Sequence, residues 1–380
     1  MKITDIKATV TEGFGGDWIL IRVYTDEGIV GYGEAFPTWT GQGRAIKEMI
    51  LWMKDLLIGE DPTDVDRLWT KMYQRQIYRG CSVAGALTTA ISGVEIALWD
   101  ITGKALGVPV YKLLGGKHRD CIRVYSDYHG GETDDPAAFA ARAQEIVAQG
   151  FSAIKMDIDL TNWRSTQDFN RPMTPKELRH LTGLVAAVRE AVGDDVEIAV
   201  DCHSGFDAPS ALLLARALEP YHLLWLEEPI PPKNLAALAH ITASTSTPIC
   251  VGENLYTRWD FRELFERQAA NIIMPDVQKT GGILESKRIA DLASTYYIPM
   301  APHCVTSPIG TMASVHLCAS LANFLILEYH MIDVPYWGDF AATDEPIVKD
   351  GYIEVPEKPG LGIELDEKVI ACYLRAGETW

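Results

Sequence analysis

The chain has 380 residues, 47% of them hydrophobic and 23% charged, which are ordinary globular values and exclude wholesale disorder. This length can bury a large core and suggests two domains, although an α/β barrel alone runs to about 250 residues. Thirty-four basic residues against 52 acidic ones leave a net charge of −18. Such a chain repels phosphate backbones and anionic lipid, so nucleic acid and membrane surface are poor partners, and an anionic substrate needs local cations or a metal.

Residues 2–11 and 18–35 read as strands, with Asp26-Glu27-Gly28 as a hairpin turn. Helical stretches follow near 43–57, 62–77 and 83–106; the last, carrying Val94, Ile96, Ala97, Leu98, Trp99 and Ile101, is apolar nearly all round and predicts a buried helix. From about residue 120 the pattern alternates. Apolar strands are predicted at 121–126, 152–157, 196–201, 223–227, 248–252, 271–275, 297–301 and 323–328. The helix after Thr174 has an N-cap, an N1 proline (Pro175) and a capping-box Glu177, and Gly193 ends it. Eight strands alternating with helices predict a (β/α)-barrel. A doubly wound sheet is disfavoured, because no G-x-G-x-x-G turn follows the first strand. The expected division is an α+β unit over 1–118, a barrel over 119–330, and a C-terminal segment, 331–380, packed back on the first unit.

Residues 292–327 contain no Asp, Glu, Lys or Arg, but Pro299, Pro302, His303, Pro308 and Gly310 break the run. It reads as strand, loop and buried helix, not as a membrane span. Seven scattered cysteines without a C-x-x-C pair, and a start without a signal-peptide apolar core, suit a reduced, cytoplasmic chain.

Barrel chemistry sits at the C-terminal strand ends. Asp201, Glu227, Glu253, Asp276 and His303 follow one another at spacings of 26, 26, 23 and 27 residues, about one βα unit each. They are expected at the mouths of strands three to seven. Three converging carboxylates, Asp201, Glu227 and Glu253, repel one another unless a hard cation neutralises them; Mg²⁺ suits such a set and keeps open positions for substrate. Glu228, next to Glu227, faces the other way on an extended chain and reads as structural.

The carboxylate spacing, the segments Leu226-Glu227-Glu228-Pro229 and Gly252-Glu253-Asn254, the Asp276/His303 pair and the tail Pro359-Gly360-Leu361-Gly362 resemble the enolase superfamily, mandelate racemase subgroup. The resemblance spans essentially the whole chain. It implies an N-terminal α+β capping domain, a modified (β/α)7β TIM barrel, one Mg²⁺ held by Asp201, Glu227 and Glu253, and abstraction of the proton α to a carboxylate. It makes His303, oriented by Asp276, the general base, and gives Glu328 a hydrogen bond to the substrate carboxylate. Lys155 is suited to stabilising the ene-diolate charge.

His203 lies two residues after Asp201 and is expected to face the same mouth. Asp-x-His here resembles the acid sugar dehydratases of the subgroup, as does Ile77-Tyr78-Arg79-Gly80, and implies an acid for the leaving hydroxyl. The alternative role is a histidine tuning Asp201. Racemases of the subgroup carry Lys-x-Lys on the second strand and galactonate dehydratases Lys-x-Asn. This chain has Lys155-Met156-Asp157, which counts against proton transfer on both faces. Asp157 is left with two roles, bonding substrate hydroxyls or anchoring Lys155. Trp18 and Trp39, in aromatic and glycine-bearing segments of the first unit, and Arg79 are the expected contacts to the rest of the substrate. His118, His129, His180, His222, His240, His316 and His330 are expected to be structural.

The expectation is therefore a cytoplasmic, homo-oligomeric, Mg²⁺-dependent dehydratase of an aldonic acid, acting in sugar-acid catabolism and releasing a 2-keto-3-deoxy acid. A 2-hydroxy-acid racemase or epimerase, and a silent sugar-acid-binding homologue, are the rival readings.

Overall fold

A computed structural model describes residues 1–39, 42–78, 85–128, 134–158, 172–343 and 345–380, apart from the side chains at 37–39, 76 and 78. The first strands, β1 (Ile3–Glu12), β2 (Gly16–Thr25) and β3 (Val30–Trp39), form an antiparallel sheet in the order β1-β2-β3. β2 divides its side chains between two cores. Ile19, Ile21 and Val23 face the helices of this unit, whereas Trp18 and Leu20 join the larger core shared with the barrel and the C-terminal segment. This follows from the period-two alternation of a strand covered on both sides.

The helices α1 (Gly43–Trp52), α2 (Lys54–Leu57), α3 (Val65–Tyr78) and α4 (Ala86–Leu106) follow. α4 is buried on nearly every side and lies directly on β3. A Cβ on Gly33 would stand 2.1 Å from the Gly93 carbonyl oxygen, so backbone meets backbone there. After the short α5 (Val110–Leu113), a run of parallel strands begins: β4 (Cys121–Tyr128), β5 (Ala153–Asp157), β6 (Glu197–Asp201), β7 (Trp225–Glu227), β8 (Ile249–Val251) and β9 (Ile272–Ile273), each beside its predecessor. β10 (Leu327–Tyr329) returns beside β4 in parallel. The expected seventh strand is reduced to residue bridges, Ile273 to Met300 and Met300 to Phe324, which complete the ring.

Helices α6 (Pro136–Val147), α7 (Pro175–Val192), α8 (Ala208–Leu218), α9 (Leu235–Ala243), α10 (Thr257–Glu266), α11 (Ile283–Ser294) and α12 (Pro308–Ser320) surround the strands. α7 begins with the anticipated capping box: Thr174 Oγ1 accepts from the Glu177 amide, and the Glu177 side chain accepts from the Thr174 amide. The chain is an α+β unit followed by a barrel-like β/α core.

Two buried carboxylates of the first unit reach helix N-termini of the barrel, whose free amides favour an anion. Glu34 accepts from the Ser307 and Gly310 amides, both at 2.9 Å, where α12 starts. Glu95 accepts from the Ile283 and Leu284 amides at 2.8 and 2.9 Å, where α11 starts. The C-terminal segment adds β11 (Tyr352–Glu354), antiparallel to β4, and α13 (Glu367–Cys372). It then returns to the first sheet, where the Arg375 amide donates to the Val10 carbonyl and the Glu12 amide to the Tyr373 carbonyl. The six described cysteines are free. Among the described residues no helix is long and apolar enough to cross a membrane.

Candidate active site

One parity of the barrel strands faces inward. Tyr125, Ala153, Ala199, Trp225, Met274, Ala301 and Ile326 pack together inside the ring. Two residues further along each chain stand Asp127, Lys155, Asp201, Glu227, Asp276, His303 and Glu328, all buried. Alternation alone therefore carries seven polar side chains to one mouth above an apolar floor. Trp225 belongs to that floor, and its Nε1 donates to Glu227 Oε2 at 2.9 Å. The strand β8 breaks the rule. Its inward position after Cys250 is Gly252, at φ +146°, a backbone conformation that favours glycine. The chain turns there, and Glu253 Oε2 arrives 3.1 Å from His303 Nε2. Glu228, also at positive φ, accepts from the Gly252 amide and the Ser204 hydroxyl, tying three successive loops together.

Lys155 is the hub. Its Nζ lies 2.7 Å from Glu227 Oε1, 2.8 Å from Glu328 Oε1, 2.9 Å from Asp201 Oδ2 and 3.3 Å from Asp127 Oδ2. Burial favours the neutral amine, but these four carboxylates outweigh it and hold the ammonium form. Burial likewise opposes ionisation of Asp201, yet His203 and Lys155 keep that carboxyl well below the usual range. Glu227 is pushed up by burial and by the neighbouring Asp201 charge. Asp201, Glu227 and Glu253 are hard anionic oxygen donors at or just beyond the ends of adjacent strands, and two of them compete for one ammonium. That donor set fits a hard divalent cation.

His303 Nδ1 stands 2.7 Å from Asp276 Oδ2. Asp276 Oδ1 in turn accepts from the Gln278 amide at 2.8 Å, which fixes the carboxylate. Burial would lower the His303 pKa, but Glu328, Glu253 and Asp276 raise it to about 9. Phe36 of β3 packs its ring 5.8 Å from the His303 ring.

Asp157 is buried at the end of β5, and burial together with the Asp127 charge pushes its carboxyl well above the ordinary range. Its donor atoms lie within 4.8 Å of those of Asp201 and His203. Asp157 is not among the four carboxylates within 3.3 Å of the ammonium, although the Lys155 charge acts on it. His203 is at the rim, with its side chain 38% exposed and Nε2 3.8 Å from Asp201 Oδ2. It reaches the mouth by a different route from the one expected: the strand has ended, and a left-handed turn (φ +41° at His203) brings the ring back.

Trp18 does not face the mouth. It is fully buried with its ring edge-on to Phe340 at 5.1 Å, because the alternation of β2 sends it into the core under the C-terminal segment. Arg79 and the side chain of Trp39 lie outside the described residues. Three site residues escaped the sequence reading. Asp127 is the penultimate residue of β4, one residue beyond the predicted strand. His330, expected to be structural, stands in the mouth, its Nδ1 3.1 Å from Asp127 Oδ2; the spacing that picked out Asp201 and His203 recurs in Glu328 and His330 and would have found it. Lys279 places its ammonium 4.7 Å from the Phe36 ring centre and helps keep Glu253 ionised; nothing in its local sequence marks it.

The chain matches two family models: residues 6–115 the mandelate racemase / muconate lactonizing enzyme N-terminal domain, and residues 138–369 the enolase C-terminal domain-like family. It is 46% identical over 379 residues to a D-xylonate dehydratase of Haloferax volcanii, covering 100% of this chain and 90% of that one. It is 35% identical to a D-galactonate dehydratase of Ralstonia pickettii, covering 96% and 92%. A mandelate racemase/muconate lactonizing enzyme-like protein of Rubrobacter xylanophilus superposes with a TM-score of 0.94 at 45% identity, covering 100% of this chain and 98% of that chain.

Proposed function

Because the chain belongs to the enolase superfamily, in its mandelate racemase / muconate lactonizing enzyme group, we propose that it is a hydro-lyase dehydrating an aldonic acid to the 2-keto-3-deoxy acid. A pentonic acid such as D-xylonate is the first candidate substrate, from the similarity to the Haloferax enzyme. The observation that carries the reading is the bond between His303 Nδ1 and Asp276 Oδ2, in a mouth that also holds Lys155 and the three carboxylates.

Asp201, Glu227 and Glu253 are assigned to Mg²⁺. When bound, the ion supplies fixed positive charge beside the substrate carboxylate, where the doubled charge of an ene-diolate develops. Charge compensation at Glu253 removes one of the groups that raise the His303 pKa and favours the neutral imidazole, the form that works as a base. His303 Nε2 takes the C2 proton, and the C–H electron pair moves into the carboxylate. Asp276 keeps the proton of Nδ1 in place and stabilises the imidazolium that forms. Lys155 supplies a charged donor to the developing oxyanion, and Glu328 orients the carboxylate. His203, at the rim, gives a proton to the departing C3 hydroxyl; water leaves, and the enol ketonises. Asp157, whose carboxyl is pushed upward by burial and the Asp127 charge and whose donor atoms lie close to those of His203, is placed to bond a substrate hydroxyl.

Tetronic to heptonic acids, incubated with and without Mg²⁺ and assayed for 2-keto acid, test this. Turnover of at least one acid only with Mg²⁺ is expected, and a loss on the order of 10²–10³ in rate for His303→Asn and His203→Asn. Exchange of the C2 hydrogen with solvent and no loss of water would make the protein an epimerase instead. Near-normal turnover in either variant would end the mechanism.

A further inference from the structure

The inward parity of the eighth strand continues past Glu328 to His330, a residue the mechanism leaves unused. Its imidazole, 12% exposed, lies beside the buried Asp127 of β4. The donor atoms of Asp127, Glu328 and His330 all fall within 4.8 Å of one another. This group is unsatisfied. Asp127 Oδ1 and both ring nitrogens of His330 are buried without a hydrogen-bond partner among the described residues, and the 3.1 Å approach of Nδ1 to Asp127 Oδ2 lacks hydrogen-bond geometry. Buried polar atoms are normally paired, and several unpaired ones in an active-site mouth mark where a ligand supplies the partner.

The chemistry of the group selects the ligand. A second cation is disfavoured, because once Asp201 and Glu227 serve the Mg²⁺ of the proposed function, the Lys155 ammonium, 3.3 Å from Asp127 and 2.8 Å from Glu328, is left to neutralise this pair. An anion is disfavoured by the two carboxylates. A hydroxyl satisfies both sides, donating to Asp127 while accepting from the imidazole. Phe14, from the loop between β1 and β2, covers the site with its ring 4.5 Å from the His330 ring, an apolar wall suited to the C–H face of a sugar chain. We propose that Asp127, His330 and Phe14 form a subsite that reads one hydroxyl of the substrate. This rests on the sugar-acid reading above and adds residues that discriminate among acids.

The test measures binding, so that it stands apart from turnover. Calorimetry on Mg²⁺-loaded protein carrying His303→Asn, which does not consume its ligand, compares the best-bound pentonic acid with its 2-, 3-, 4- and 5-deoxy forms. One deoxy form should bind about tenfold or more weakly. His330→Leu should weaken the parent acid by a similar factor and cause no further loss with that deoxy form; His330→Gln should recover part of the affinity. Asp127→Asn carries the same comparison if His330→Leu does not fold. Additive losses, an equal loss for every ligand, no loss at all, or no binding by any acid would each overturn the subsite. So would two Mg²⁺ per chain falling to one in His330→Leu, which would make the group a metal site. Intact coupling without keto-acid formation by the unmutated protein would refute the dehydratase reading and leave the subsite standing.

Discussion

Replacing Lys155 with methionine keeps the length of the side chain and deletes its charge. Four buried carboxylates then lose the ammonium they share at 2.7 to 3.3 Å. Deleting one member of a buried ion pair costs about 3–5 kcal/mol, because the other charge is left uncompensated. The alternative is protonation: holding a glutamate neutral at pH 7 against a usual pKa near 4.3 costs about 4 kcal/mol. The two routes agree, and the drop in melting temperature should be about 4–6 °C for a chain of this length. The loss has a definite pH dependence. A carboxyl whose folded pKa is raised destabilises the fold above its unfolded pKa and has no effect below it. The deficit should therefore be full at pH 8 and shrink as the pH falls toward 5. Thermal unfolding of Mg²⁺-free protein in EDTA at pH 5, 6.5 and 8, with and without the substitution, measures it. A deficit under about 1 kcal/mol, or one equal at pH 5 and 8, would refute the reasoning that this ammonium holds the carboxylates together.

Asp276→Asn should lower kcat by about 10²–10⁴. Since Asp276 helps to raise the His303 pKa, the pH at which activity rises should move down; an unchanged profile would contradict the dyad. Glu95 is buried at the start of α11 and pushed up to about 7 by that burial. The folded chain therefore binds a proton that the unfolded chain has lost between about pH 4.5 and 7, and stability falls with rising pH across that window by up to about 3 kcal/mol. Glu95→Gln should flatten the slope in a series of melting temperatures from pH 5 to 8, and a parallel offset would count against it. Gly33→Ala drives a methyl into the Gly93 carbonyl, 2.1 Å away, and should cost about 1–3 kcal/mol or more. Gly183→Ala, inside α7 with nothing within 4 Å of the new methyl, should stabilise by about 0.5–1 kcal/mol. Urea unfolding of the two variants side by side would expose an error in either sign.

Much of the site was written locally. An apolar strand in water-free surroundings alternates at a fixed period, so the positions of Lys155, Asp201, Glu227, Asp276, His303 and Glu328 at an inward parity follow from the chain alone. The start and end of α7 follow in the same way, because Thr174, Glu177 and Gly193 satisfy backbone groups only a few residues away. Other placements depend on partners distant in the chain. Trp18 has the composition of a substrate contact, yet the two cores on either side of β2 decide which residues stay covered, and Trp18 falls on the covered side. Glu253 reaches His303 only because Gly252 turns the chain out of register, and His203 returns to the mouth through a left-handed turn where straight extension was expected. His330 repeats the spacing of Asp201 and His203, but its partner Asp127, some two hundred residues earlier, is set against it only when β10 closes on β4. Periodicity is a property of neighbouring residues and can be read from them; which faces meet depends on closing the ring, and ring closure is settled only when the whole barrel is assembled.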